Sequence, residues 1–355
     1  MMPPDYSFLP APLWLITALH VLTLTLHFIA MNFLAGGLIL ILAGPFRQRW
    51  EDPTVRRIVR LLPTVMAATI TLGVAPLLFV QLVYGRQIYA SAIVSGWFWL
   101  LIVGVVIAVY YLLYAAALSK PAGGPRQKLI LSFALIGVLY VSLTYSAVFS
   151  MAERPDLTRE LYARVQSGWI WNTNVMDYLF RWMHMIFGAV AVGGYFITLL
   201  AKGNPEAEKT GRTAFLWGMG LAAVSGMFYL ISLVADVAPL LHSAAVWTLV
   251  IGIGLAIGAV ALFLKGKMAG AGIHLFLSVA AMVLNRHMLR LVRLRSHFDP
   301  TTMRVEPQWS PFLMFLICFV IALAVVAYML RLFFRSKKAH AEGDRDGGAP
   351  QPDSG

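Results

Sequence analysis

Two stretches of the sequence share a pattern built on histidine. One reads His27-Phe-Ile-Ala-Met-Asn-Phe-Leu-Ala-Gly36-Gly37, the other His184-Met-Ile-Phe-Gly-Ala-Val-Ala-Val-Gly193-Gly194. Each sets an imidazole nine and ten residues ahead of a glycine pair. Imidazole ligates metals and is a standard axial ligand of haem iron, and helix bundles supply such ligands from facing helices. A glycine pair admits close approach of a neighbouring helix or of a flat macrocycle. His27 and His184 are therefore the leading candidate metal ligands, set against the plainer role of interhelical hydrogen bonding.

The other histidines are weaker candidates. His20 lies seven residues before His27, two turns along the same face and ~10 Å away. It either serves a second site or lies at the membrane surface. His242 opens one apolar stretch and His287 lies near the end of another, so both are candidate cofactor contacts. His274 and His297 fit structural or solvated roles, and His340 falls in the polar tail. Arginine makes bidentate pairs with carboxylates, so Arg181, one turn before His184, and Arg286 and Arg290 are candidates for holding acidic groups on a macrocycle. The alternative is an interfacial helix end whose side chains snorkel to water.

The elements that must position these residues are apolar helices. The chain has 355 residues, 59% of them hydrophobic and 12% charged, and its mean hydropathy is +0.75. A spanning helix needs roughly 20 apolar residues, and such stretches fall near 12–44, 61–84, 96–119, 128–151, 176–201, 213–236, 241–265, 269–291 and 310–335. The expected fold is an all-α polytopic membrane protein of about nine transmembrane helices. Residues 1–335 form the membrane domain, and 336–355 are expected to be a disordered cytoplasmic tail because that composition cannot bury enough apolar surface. Met1–Pro12 lacks a basic start and leads into a long apolar stretch, so the first helix is expected to stay rather than be cleaved. The single cysteine, Cys318, excludes a disulfide framework, a cysteine-rich iron–sulfur site and covalent haem attachment.

Lys and Arg concentrate in the joints after helices 1, 3, 5 and 7, which places those joints in the cytoplasm, the N-terminus outside and the C-terminus inside. The net charge of +12 reads as this topology and not as nucleic-acid binding. Two outer segments depart from the rule, one with Arg154, Arg159 and Arg164, the other with Arg286, Arg290, Arg293 and Arg295. No Asp or Glu falls near a helix centre, since Asp177 and Asp236 lie at outer ends, and this disfavours proton translocation.

The two His–Gly stretches start two four-helix units, helices 1–4 over about 12–151 and helices 5–8 over about 176–291, followed by one C-terminal helix. Trp99 and Gly104 against Trp247 and Gly252 continue the match weakly. Four helices separate the copies, so they run the same way through the membrane and place His27 and His184 in one leaflet, ~6 Å below the outer surface.

These features resemble, remotely, subunit I of the cytochrome bd quinol oxidases. That family has nine helices, an outer N-terminus, two pseudo-symmetric four-helix units and haems near the outer face. Its helix 1 carries a ligand His with Gly nine residues on, as at His27 and Gly36. Its helix 5 carries an Asn-initiated segment ending in a ligand His, similar to Asn174 through His184 to Gly193. Gly73–Gly85 is similar to the family's helix 2. The resemblance implies that His27 and His184 ligate different, non-covalent haems of b type. The family's helix 3 glutamates, its methionine ligand (Val250 stands at that position), its long quinol-binding loop and its Gly-Arg-Gln-Pro-Trp motif are missing. That argues against an ordinary quinol-oxidising oxygen reductase.

The expected function is a b-type cytochrome subunit of a respiratory chain in a bacterial cytoplasmic membrane. It would pass electrons between another redox subunit and an outer-face donor, a c-type cytochrome or quinol. A divergent oxygen reductase subunit, and a haem-free transporter or structural subunit of a membrane complex, are the alternatives.

Overall fold

The computed structural model describes residues 8–42, 46, 49–233 and 243–314, with scattered positions from 316 to 331. It separates into a unit over Leu13–Met303 and a small unit made of both chain ends. In the small unit Phe8–Leu9 pairs in parallel with Arg304–Val305, and an apolar helix runs over Trp309–Cys318. Most of the second half of the expected ninth span, from 322 to 335, and the whole tail 336–355 lie outside the described residues.

The larger unit is helical: α1 Leu13–Leu42, α2 Pro53–Val94, α3 Gly96–Leu118, α4 Pro125–Ala152, α5 Pro155–Arg164, α6 Val175–Leu200, α7 Pro205–Ser232, α8 Ala244–Leu264 and α9 Met268–Leu294. Among the described residues, eight of these helices, all but α5, are long and apolar enough to cross a membrane. The chain is an all-α, multi-pass membrane protein.

Two helices are longer than their apolar stretches. Asp52 caps α2 by accepting from the Thr54 N–H, with Pro53 in the first turn. Asn204 caps α7 by accepting from Ala207, with Pro205 after it. A polar cap followed by proline starts a helix whatever the polarity of its first turn, so Arg56, Arg57 and Arg60 belong to α2. The other end of α2 departs from helical geometry at Tyr84 (φ −118°, ψ 25°), beside Gly85, and then continues ten residues further than apolarity suggests. α5 occupies the expected outer joint, with Arg159 beside Asp156 and Arg164 paired with Glu160.

The repeat is present as geometry. α1 packs on α2 as α6 packs on α7, α3 on α4 as α8 on α9, and each fourth helix packs on the other unit's first, α4 on α6 and α9 on α1. The axis of this pseudo-two-fold passes between the first glycines of the pairs. A Cβ on Gly193 would lie 2.8 Å from the Gly36 carbonyl carbon, and one on Gly36 would overlap the Ala189 carbonyl. The second glycines turn to equivalent neighbours, Gly37 to Ile58 and Leu62, Gly194 to Gly211 and Phe215. At the end of the bundle remote from the histidines, the caps meet as well: Asn204 Nδ2 donates to Asp52 Oδ1 at 3.0 Å. The likeness fades in the third helices, where Gly252 faces Met282 but Gly104 faces nothing within 4 Å.

Gly36→Ala should therefore destabilise the protein by about 1–3 kcal/mol, because a backbone carbonyl cannot rotate out of the way as a side chain can. Gly104→Ala should be neutral or slightly stabilising, since alanine is the better helix former. Thermal unfolding in detergent compares the two, and equal melting temperatures would contradict the packing described.

Candidate functional site

His27 and His184 have equivalent surroundings. His27 Nδ1 lies 2.9 Å from the Thr69 carbonyl oxygen on α2, and His184 Nδ1 lies 2.8 Å from the Ala222 carbonyl oxygen on α7. A carbonyl only accepts, so in each ring Nδ1 carries the proton and Nε2 keeps its lone pair. Four residues beyond each carbonyl is a glycine against the ring: a Cβ on Gly73 would lie 2.9 Å from His27 Cε1, and one on Gly226 would lie 3.0 Å from His184 Nδ1. A larger residue at either place would push the imidazole off its carbonyl.

The helix segments around the two rings are less buried than those around the glycine pairs. From Phe33 to Leu38 and from Ala191 to Tyr195 the chain is buried throughout, whereas 27–31 and 182–188 are half-buried on all sides. A Cβ on Gly188, one turn past His184, would meet nothing within 4 Å. Among the described residues, no three of His, Cys, Asp and Glu come together as a metal-holding group. A bare zinc or iron site needs three or four protein ligands. One imidazole per site suits only a metal that brings its other ligands with it, as the iron of haem does.

His20 is buried, not surface-lying, and its Nδ1 donates to the Pro76 carbonyl at 3.1 Å. His287 is also buried, edge-on to Tyr84 with ring centroids 6.3 Å apart. His242 lies outside the described residues. His274 donates back to Gly270 on its own helix, and His297 Nε2 lies 3.0 Å from Asp156 Oδ2.

The same end of the bundle holds a buried ionic cluster. Arg286, Arg290 and Arg293 form one stripe on α9 at the i, i+4, i+7 spacing, and all three converge on Glu153, the residue that ends α4. Arg286 NH2 is 2.5 Å and Arg293 NH1 3.3 Å from Glu153 Oε2, and Arg290 Nε is 3.4 Å from Oε1. Arg293 also makes a two-pronged pair with Asp177 on α6 at 3.0 and 3.1 Å, and Ser150 Oγ donates to Asp177 Oδ2. Arg286 NH1 donates to Tyr229 Oη at 2.6 Å. Arg181 donates through Nε to Ser146 Oγ at 3.2 Å and through NH2 to the Ser146 carbonyl. The Arg290 guanidinium sits 5.2 Å from the centre of the Tyr84 ring. Arg154 approaches Asp177 at 3.8 Å, so both arginine-rich segments that depart from the charge rule are anchored by acids.

Glu153, Tyr84, Tyr229 and Ser146 were not among the sequence candidates. The α9 stripe was the signal for Glu153: three arginines on one helix face at a membrane boundary demand an anion, and few acids are available at that end. Of the arginines expected to meet acidic groups on a macrocycle, Arg286 has two of its nitrogens committed to Glu153 and Tyr229, while Arg181 and Arg290 each keep NH1 unengaged.

Burial pushes the Glu153 carboxyl up, but the surrounding guanidiniums of Arg286, Arg290, Arg293 and Arg181 outweigh it and hold the carboxyl below its ordinary value. Its stabilisation is therefore fully present above the ordinary carboxylate pKa and is lost as pH falls through the folded-state value. Glu153→Gln should cost about 3–5 kcal/mol at neutral pH, the penalty of breaking a buried pair from one side. The gap in melting temperature between wild type and variant should close on acidification below about pH 4.3; a gap independent of pH would contradict this assignment.

No protein-family model matches the chain, and no curated protein sequence matches it.

Proposed function

We propose that the chain is a b-type cytochrome subunit of a membrane electron-transfer chain, holding non-covalent haem on His27 and His184. The observation that carries this reading is the duplicated imidazole: each ring is fixed through Nδ1–H to a carbonyl of the next helix, against a glycine, with Nε2 left as the only lone pair. Second-shell hydrogen bonds of this kind set the tautomer and orientation of ligating histidines. When bound, haem supplies an iron that gains and loses one electron.

The polypeptide contributes position and environment. The Gly36–Gly193 crossing sets each histidine nine residues, about 14 Å, along its helix from the axis of the repeat. Two such sites in one leaflet suit transfer between centres more than binding of a single ligand. Apolar walls keep water from the rings, and the ionic cluster supplies positive charge at the same end. In this reading that end faces outward in a bacterial cytoplasmic membrane, where a c-type cytochrome, a quinol or another redox subunit would exchange electrons with it. Cysteines placed at Gly123 and Thr158 should then react with impermeant reagents from opposite sides of the membrane, and reaction from one side would refute the orientation.

His27→Ala and His184→Ala should each remove part of the haem absorbance of the purified protein, and the double variant more than either. Insertion should persist, because it depends on apolar length. Retention of the full spectrum by both single variants would remove the basis of the reading.

A further inference from the structure

The ionic cluster is not balanced. Arg181, Arg286, Arg290 and Arg293 surround two carboxylates, Glu153 and Asp177. Four enclosed cations, with the less buried Arg154 beside Asp177 as a fifth, against two anions leave an excess of positive charge: Arg181 is 8% exposed, Arg290 7% and the neighbouring Tyr84 2%. The buried polar atoms in this neighbourhood without a hydrogen-bond partner include three donors, Arg181 NH1, Arg290 NH1 and Tyr84 Oη, and one acceptor, Glu153 Oε1, which lies 3.4 Å from Arg290 Nε. Burying an unsatisfied donor is unfavourable, more so when it is charged.

Arg181 is held through Nε and NH2 by the two oxygens of Ser146, and Arg290 through Nε by Glu153, so each guanidinium is fixed with one prong, NH1, spare. The Arg290 guanidinium lies over the Tyr84 ring, which keeps that prong near the phenol. Among the described side chains Glu153 Oε1 is the anionic atom beside Arg290, at 3.4 Å from its Nε, and it makes no hydrogen bond to these three donors, so the array calls for a further acceptor that carries negative charge.

We propose that Arg181, Arg290 and Tyr84 form an anion site that takes a carboxylate or phosphate group from a bound molecule. Two sources share this chemistry. One is the pair of carboxylates on a haem held at His184 or His27; Arg181 precedes His184 by three residues, about 4.5 Å along α6, and this source rests on the proposed function. The other is the phosphate of a membrane lipid seated at the bundle end, which is independent of that reading. Guanidinium forks bind either group through charge-assisted hydrogen bonds.

The experiment uses the full chain purified in detergent as wild type, Arg181→Met, Arg290→Met, the double variant and Tyr84→Phe. Two quantities are read on the monodisperse fraction: the rate at which haem passes to excess apomyoglobin, and phospholipid phosphorus per chain. Carboxylate binding predicts haem loss faster by about tenfold in each Arg→Met variant, the weight of one strong hydrogen bond, with phosphorus unchanged. Phosphate binding predicts loss of about one phosphorus per chain with the haem rate unchanged. Tyr84→Phe deletes only a hydroxyl and should fold even where the arginine variants do not; it should shift the same quantity in the same direction, by less.

If wild type carries no haem but loses phosphorus in the variants, the haem reading fails and the anion site stands. If haem is present and no variant, Tyr84→Phe included, changes either quantity, the anion site fails and the haem reading stands. A wild type carrying neither haem nor retained phospholipid would overturn the site.

Discussion

Two glycines bring the backbones of α1 and α6 into contact, and the matched placement of His27 and His184 follows from that contact. A side chain at Gly36 or Gly193 would strike main-chain atoms of the opposite helix. In a lipid solvent, where apolar side chains gain little by leaving the bilayer for a helix interface, close backbone approach is a main source of attraction between helices. The crossing makes the two four-helix units mutual neighbours through their first helices, lets α4 and α9 pack across the axis, and sets His27 and His184 at equal distances from it. Each unit then repeats one local device, an imidazole held on a carbonyl next to a glycine.

The ionic cluster is a second constraint, and the pseudo-symmetry does not reproduce it. Asp177 stands where His20 would fall in the other unit, seven residues before the repeat histidine. One unit therefore presents a buried imidazole at that level and the other a buried carboxylate. Glu153 and Asp177 draw in the arginines of α9, so the cluster ties α4 and α6 to α9 at one end of the bundle. Charges at this depth are costly unless paired, and six of the arginines that break the charge bias of the joints, Arg154, Arg159, Arg164, Arg286, Arg290 and Arg293, have acidic partners.

Much of this was legible in the sequence. The positions of the first eight spans followed from apolar runs, and the His–Gly spacing marked both the repeat and its axis, although it left open whether the glycines admit a helix or a cofactor. The structure assigns them to helices: Gly36 meets Gly193, while Gly37 and Gly194 meet α2 and α7. The glycines beside the histidines are instead Gly73 and Gly226, on neighbouring helices, and nothing in linear spacing ties them to His27 and His184. Apolar counting hid the first turns of α2 and α7, where Asp52-Pro53 and Asn204-Pro205 start helices in charged sequence. Glu153 stayed hidden because its partners lie more than 130 residues away on α9, and a single acid in a joint has no periodicity to mark it.

In the proposed function each unit presents one imidazole nitrogen to an iron-bearing macrocycle. A pyridine haemochrome assay with a reduced-minus-oxidised optical spectrum on the purified wild-type chain tests it most directly. The expected result is a red protein with b-type haem, more than one per chain when both units are loaded. A colourless preparation that stays colourless after reconstitution with haem would contradict it.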